Sequence, residues 1–399
     1  MTKLPLNGPE TAGQVIHLPF AQKPAAPRDM SGSPLADKTN ATAIVYCEAN
    51  FGALDGKTAN GLVRHSEKYT ILSVIDSMKA GLDAGSVLDD KPNAIPIYRD
   101  LDDALEKTDG IPDYFIYGMA PATGMLSTSE RAVVLDAINR GMNIVNGLHE
   151  FLNDDPEFVA AANTANVVIQ DIRKPRPKNE LRQFSARIND LKCRRIAVLG
   201  TDCAIGKRTT ASILTRALNK HGIKTVMVTT GQTGKIQGGR YGVALDAVPS
   251  QFCCGELEAT IIEASEGENP DVIIIEGQGA LSHPAFCTSA FILRGSVPDG
   301  VILQHAPRRA HRCDFETMKM PTPRSEIDLI QAFADTTVIG LTVNHEHMSD
   351  TDVSAAITRY EAELGIPVTD ALTRPTEHLV DMVLSSFPEL ERKQTAAVV

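Results

Sequence analysis

At 399 residues the chain exceeds what one ordinary hydrophobic core supports, so two domains with a substrate cleft between them are expected. A composition that is 43% hydrophobic and 22% charged is globular and excludes a disordered or fibrous chain. A formal net charge of -11 argues against a nucleic-acid partner, since phosphate backbones are met by clustered Lys and Arg.

From the start to about residue 40 the segment is rich in Pro, Ala, Gly and Ser and reads as an extended arm. It has neither a basic region with an apolar run nor a small-residue cleavage site, and no later stretch reaches membrane-spanning length. Seven cysteines without a short-range framework read as reduced thiols. A cytoplasmic protein with small-molecule substrates and no membrane partner is therefore expected. The runs ATAIVYCEA, YTILSVID, AIPIYRD and DYFIYGMA recur at intervals suited to βαβ units. RAVVLDAINRGMNIVNG adds a helix ending near Gly141 and a strand. Together they predict a Rossmann-like domain over residues 41–185. The charged, Pro-interrupted run IRKPRPKNELRQFSARINDLK serves as the connection. A second α/β domain, residues 186–399, is marked by RRIAVLG, KTVMVTT, DVIIIEG, GVILQH and TTVIGLTVN, each apolar enough for a parallel strand buried on both faces. Buried strands in so large a chain also suggest a homo-oligomer.

The chemistry concentrates after RRIAVLG, where an apolar strand, a turn opened by Gly200 and a helix starting at Gly206-Lys207 follow in order. Gly200 and Gly206 allow backbone angles that aim successive N–H groups at one anion, and the helix N-terminus adds favourable potential. Residues Gly200, Thr201, Asp202, Cys203, Ala204, Ile205, Gly206, Lys207, Arg208 and Thr209 thus form a phosphate-binding loop of the P-loop type, with Lys207 as the mobile cation. The fold class expected is α/β, a Rossmann-like N-terminal domain followed by a P-loop NTPase-like parallel-sheet domain. The loop departs from GxxxxGK[ST]: Thr201 replaces the first Gly, and Arg208 stands where a metal-binding hydroxyl belongs. Either Thr209 or Thr210 takes over that hydroxyl role, or the loop holds phosphates without an obligatory magnesium ion.

GTDCAIGK, TTGQTG and EGQGAL resemble segments of P-loop ligases of the dethiobiotin synthetase type. That resemblance implies that Asn344, in the strand ending LTVN, reads an adenine base, and it carries an ATP- and magnesium-dependent ligase or kinase as the rival activity. A non-catalytic nucleotide sensor is a third reading. The set KTANGLVR, GMAPATG, NGLHEFLNDD, GTDCAIGKRTT, TTGQTGKIQGG, EGQGALSHPA and LQHAPRR more closely resembles the D-glutamate N-acetyltransferase family. The resemblance implies a Rossmann-like domain before a P-loop-like one, and transfer of an acetyl group from acetyl-CoA to the amine of D-glutamate. Coenzyme A carries a pyrophosphate and a 3′-phosphate, so a P-loop can hold it without hydrolysing anything.

Acetyl transfer to an amine needs a proton acceptor and oxyanion donors. Glu276 ends DVIIIEG at the carboxyl edge of the sheet, where open α/β folds bind ligands, and is the first candidate base. His283 and His305 are secondary candidates, and Asp202 is a residue to orient Lys207 or the substrate ammonium. Cys203, among the loop amides, is a candidate acyl carrier. For the substrate carboxylates, Lys235, Arg240, Arg308 and Arg309 are suitable cations, with Gln232 and Thr233 as donors. In the first domain Lys57, Arg64 and Asp76 are expected to face the cleft; without a GxGxxG turn no nicotinamide cofactor is expected. No His or Cys cluster has the spacing of a structural zinc site, so no metal is assigned.

Overall fold

The computed structural model describes residues 41–121 and 123–391. The expected arm over residues 1–40 lies outside the described residues. Six strands, β1 (Ala41–Tyr46), β2 (Tyr69–Ile75), β3 (Ile97–Tyr98), β4 (Tyr114–Tyr117), β5 (Asn143–Asn146) and β6 (Ile169–Asp171), form a parallel sheet in the order β3-β2-β1-β4-β5-β6. This is the Rossmann order. β1 and β4 lie at its centre, and their apolar runs are buried almost throughout, as strands covered on both faces must be. Helix Thr128–Asn139 opens with a reciprocal cap between Ser127 and Glu130. It stops just before Gly141, whose φ of 88° is the left-handed geometry expected of that glycine.

The second sheet contains β7 (Arg194–Gly200), β8 (Thr225–Thr229), β9 (Tyr241–Gly242), β10 (Val272–Glu276) and β11 (Gly300–His305). After a short antiparallel hairpin, β12 (His311–Arg312) and β13 (Phe315–Lys319), the chain adds β14 (Thr337–Val343) and β15 (Val368–Thr369) to that sheet. Its order is β15-β14-β11-β7-β10-β8-β9, and all the recorded pairings are parallel. Helices Lys207–Lys220 and Glu377–Ser386 contribute to the core on one face; Ser250–Glu268, Thr288–Ser296, Pro323–Phe333 and Asp350–Leu364 contribute to the other. Because β7 is flanked by β10 on one side and β11 on the other, Gly200, Glu276 and His305 end at one sheet edge, the place where parallel sheets present ligand sites.

The two sheets meet through the short helix Gln232–Ile236 and its exit. Thr233 Oγ1 lies 3.1 Å from Thr58 Oγ1, Gln237 Nε2 donates to the His65 carbonyl at 2.8 Å, and Lys235 Nζ donates to the Ile172 carbonyl at 3.0 Å. Arg173 donates to the Gly147 carbonyl at 2.6 Å and pairs with Asp246 of the second domain. None of the seven cysteines is in a disulfide. Among the described residues no helix is long and apolar enough to cross a membrane.

Candidate functional site

The loop between β7 and helix Lys207–Lys220 is shaped by what its glycines leave out. A Cβ at Gly200 would meet Lys207 Cδ at 2.9 Å and Ile205 Cδ1 at 2.8 Å, so only a glycine lets the lysine stem run back over the turn. Gly206 has φ of 101°, and Ala204 also takes positive φ, which bends the loop back into the helix start. Lys207 is buried and donates to the Asp202 carbonyl. Burial lowers its pKa, against the pull of Cys203, Asp202 and Glu276. An ammonium held in so dry a place is primed to pair with an anion. The loop is braced from behind: Thr201 Oγ1 lies 2.9 Å from His305 Nδ1, and Thr210 Oγ1 donates to Gln304 Oε1 at 2.6 Å.

Glu276 emerges at the same edge, buried, with Oε2 3.3 Å from Arg208 Nη1 and 3.3 Å from the Thr230 amide. Desolvation raises its pKa, opposed chiefly by Arg208. Arg208 also donates to Gln237 Oε1, which links the loop to the domain contact. Of the two hydroxyls that were candidates for a metal role, Thr210 is committed to Gln304 and Thr209 is exposed. Asn344 uses its side chain within the protein: Nδ2 donates to the Ile205 carbonyl at 3.0 Å and Oδ1 accepts from the Glu346 amide at 2.9 Å. Both bonds hold the loop and occupy polar atoms that the expected base reading would use.

Several expected site residues go elsewhere. Asp76 is fully buried and accepts from the amides of Ala49, Phe51 and Met78, so its carboxylate closes the turn after β1 and does not face a cleft. Arg64, Arg240 and Arg308 are exposed and paired with Asp89, Glu268 and Asp352, which corrects the expectation that they bind substrate carboxylates. Lys57 is exposed at its helix start. Gln232, Thr233 and Lys235 lie in the helix between the domains, and Lys235 is spent on the Ile172 carbonyl. His305 is buried, with its pKa lowered by desolvation to about 4, so it is neutral at physiological pH and a poor base. His283 is also lowered, by burial first and then by Arg312.

Arg312 and Cys313, which the sequence did not single out, join Arg309 and Asp202, which it did, around the loop. Arg309 donates to the Cys203 carbonyl at 3.2 Å and the Ala204 carbonyl at 3.0 Å, and Arg312 donates to the Thr201 carbonyl at 3.2 Å. Asp202, fully buried, accepts from the Cys313 amide at 2.8 Å. A hydrogen bond between the thiols lowers Cys203, and Cys313 is raised by the same contact. The only sequence signal for this second ring was the basic run after His305; Cys313 and Asp314 belong to no motif. A separate cavity of about 400 Å³, lined by Ser354, Glu361, Arg374 and His378, includes no loop residue.

Residues 77–175 match the family described as a domain of unknown function (DUF1611_N), Rossmann-like domain, and residues 182–380 match its companion, the DUF1611_C P-loop domain. A protein of Pseudoalteromonas called D-glutamate N-acetyltransferase is 33% identical over 272 residues, 67% of this chain and 80% of the relative. One of the same name from Tritonibacter scottomollicae is 29% identical over 272 residues, 67% of this chain and 79% of its own. The crystal structure of a DUF1611 family protein from Anabaena variabilis superposes with a TM-score of 0.80 at 31% identity, covering 87% of this chain and 100% of that one. With sheet order, loop and relatives in agreement, the chain belongs to the DUF1611 family, the family of the D-glutamate N-acetyltransferases.

Proposed function

We propose that the protein moves an acetyl group from acetyl-CoA to the amine of D-glutamate. The relative that is 33% identical over 80% of its own length, and that bears this activity as its name, carries the reading. The loop supports it. A buried Lys207 among loop amides suits a phosphate-bearing cofactor, while the metal-binding hydroxyl of nucleotide-hydrolysing loops is replaced by Arg208. In this reading the loop amides and Lys207 hold phosphates of coenzyme A. Glu276, kept less acidic by burial and positioned by Arg208, removes a proton from the substrate amine. The amine nitrogen bonds to the acetyl carbon, the carbon–sulfur bond breaks, and the coenzyme A thiolate leaves and is protonated.

The test is to mix purified protein with acetyl-CoA and D-glutamate, L-glutamate or D-aspartate and follow free coenzyme A thiol. Thiol release with D-glutamate alone is expected. If no amine releases thiol and the protein turns over ATP with magnesium, the ligase reading replaces this one.

A further inference from the structure

Beside the phosphate loop, five side chains converge from three parts of the chain: Asp202 and Cys203 from the loop, His283 from the segment after β10, and Cys313 and Asp314 from the β12–β13 hairpin. The ligand atoms of Asp202, Cys203 and Cys313 lie within 4.8 Å of one another, as do those of Cys203, His283 and Asp314. His283 Nε2 is 3.7 Å from Asp202 Oδ1 and 3.7 Å from Asp314 Oδ2. That is too long for a hydrogen bond. Accordingly His283 Nε2 and Asp202 Oδ1 are buried without a hydrogen-bond partner among the described residues, an arrangement that costs stability unless something else pairs with them. Ligands of one tetrahedral ion with bonds of about 2.0–2.2 Å sit roughly 3.5 Å apart, close to the 3.7 Å from His283 Nε2 to each carboxylate.

We propose that this cluster binds a divalent cation of zinc's class through Cys203, His283 and Asp314, with Asp202 and Cys313, which share Cys203 with them, as alternative fourth ligands. Thiolate and imidazole together select zinc over magnesium or calcium, which prefer all-oxygen sites. The arrangement is not that of a nucleophilic relay. In a relay a carboxylate holds the ring nitrogen opposite the thiol; here both carboxylates face Nε2, and Nδ1 accepts from the Ala285 amide at 3.2 Å. Ligation at Nε2 puts the ring proton on Nδ1, so this long contact gives way. The rings of Phe286 and Phe315 pack on the imidazole at centroid distances of 4.7 and 5.7 Å and fix its plane. Arg312, 3.9 Å from Asp202 Oδ1 and bonded to Ser282 Oγ at 2.8 Å, offsets the surplus negative charge of the ligand set. A cation here ties the phosphate loop to the hairpin. The proposal stands whichever reaction the loop serves.

The test uses the full chain, stripped with chelator under reductant and titrated with zinc against a chromophoric indicator; cobalt is loaded in parallel for its thiolate charge-transfer band. Stoichiometric zinc binding is expected, weakened about tenfold or more in Cys203→Ser and His283→Gln. Cys287→Ser, at an exposed cysteine outside the cluster, is expected to bind like the parent. Circular dichroism of each metal-free variant confirms that it is folded. The cobalt band is expected to weaken in Cys203→Ser and to vanish when Cys313→Ser is added to it. Failure of the reduced parent protein to bind zinc overturns the proposal, and so does equal binding by the parent and both folded variants.

Discussion

Lys207, Glu276 and His305 occupy one sheet edge, yet burial acts differently on each. Lys207 is a cation stripped of water that waits for an anion, so Lys207→Ala removes a charge-assisted bond of about 1.5–3 kcal/mol. The Michaelis constant for acetyl-CoA is expected to rise roughly 10–100-fold. An unchanged constant would remove Lys207 from the cofactor site. In the proposed reaction Glu276 must be ionised to accept a proton, and burial raises its pKa. The acid limb of kcat/KM therefore lies above the ordinary carboxylate range of about 4.3, with rate falling as pH drops through it. Glu276→Gln is expected to abolish that limb and lower kcat by about 10²–10⁴ while leaving affinity nearly intact. His305 works through stability. Its folded pKa of about 4 lies below that of an exposed imidazole, near 6.5, so between those values the unfolded chain binds more protons. Its neutral form thus contributes above pH 6.5, and about 3 kcal/mol is lost as pH falls to 4. Denaturant unfolding of the parent and His305→Gln at pH 7 and pH 4.5 checks this: the parent should lose more stability than the variant.

At the scale of elements, the turn after β10 shows why the loop cannot be moved far from its strand. A Cβ at Gly277 would come within 2.0 Å of the Val198 carbonyl of β7, a clash with backbone that no rotamer relieves. Gly277→Ala is expected to cost about 1–3 kcal/mol or more, read as a lower melting temperature and less soluble protein. This turn, the strand RRIAVLG and the loop were legible in the sequence because each is local: an apolar run, glycines at a fixed offset, and a helix start. Asp76 was misread for the same reason. It follows β2 at the sheet edge, where a cleft was expected, but three backbone amides take its carboxylate, and no linear pattern reports that. The hairpin was invisible from the opposite side. β12 is two residues long, β13 has no buried residue, and only the fold carries Arg312, Cys313 and Asp314 onto the loop.

The whole molecule depends on a contact between two sheets that each have their own core. Arg173, at the end of the Rossmann-like sheet, is 6% exposed, and burial lowers its pKa to about 10; its guanidinium bonds to the Gly147 carbonyl and to Asp246. Charge pairs of this kind gain little relative to apolar residues, yet cost much when one partner is removed, because the other stays buried and uncompensated. Asp246→Ala is therefore expected to destabilise the protein by about 3 kcal/mol, near the lower end for buried pairs because Asp246 keeps some solvent access. The loss should be felt at the domain contact, so calorimetry should show a lower or split unfolding transition. Arg173→Met combined with Asp246→Ala should recover part of the loss, since the orphaned charge is gone. If the single variant melts like the parent, the pair does not couple the domains, and the docking rests on Thr58, Lys235 and Gln237. The outcome bears on the site as well, because Gln237 bonds both to the His65 carbonyl of the first domain and to Arg208 beside Glu276. A loosened contact should then raise the Michaelis constants for both substrates in the folded variant at low temperature, whereas an intact one should leave them unchanged.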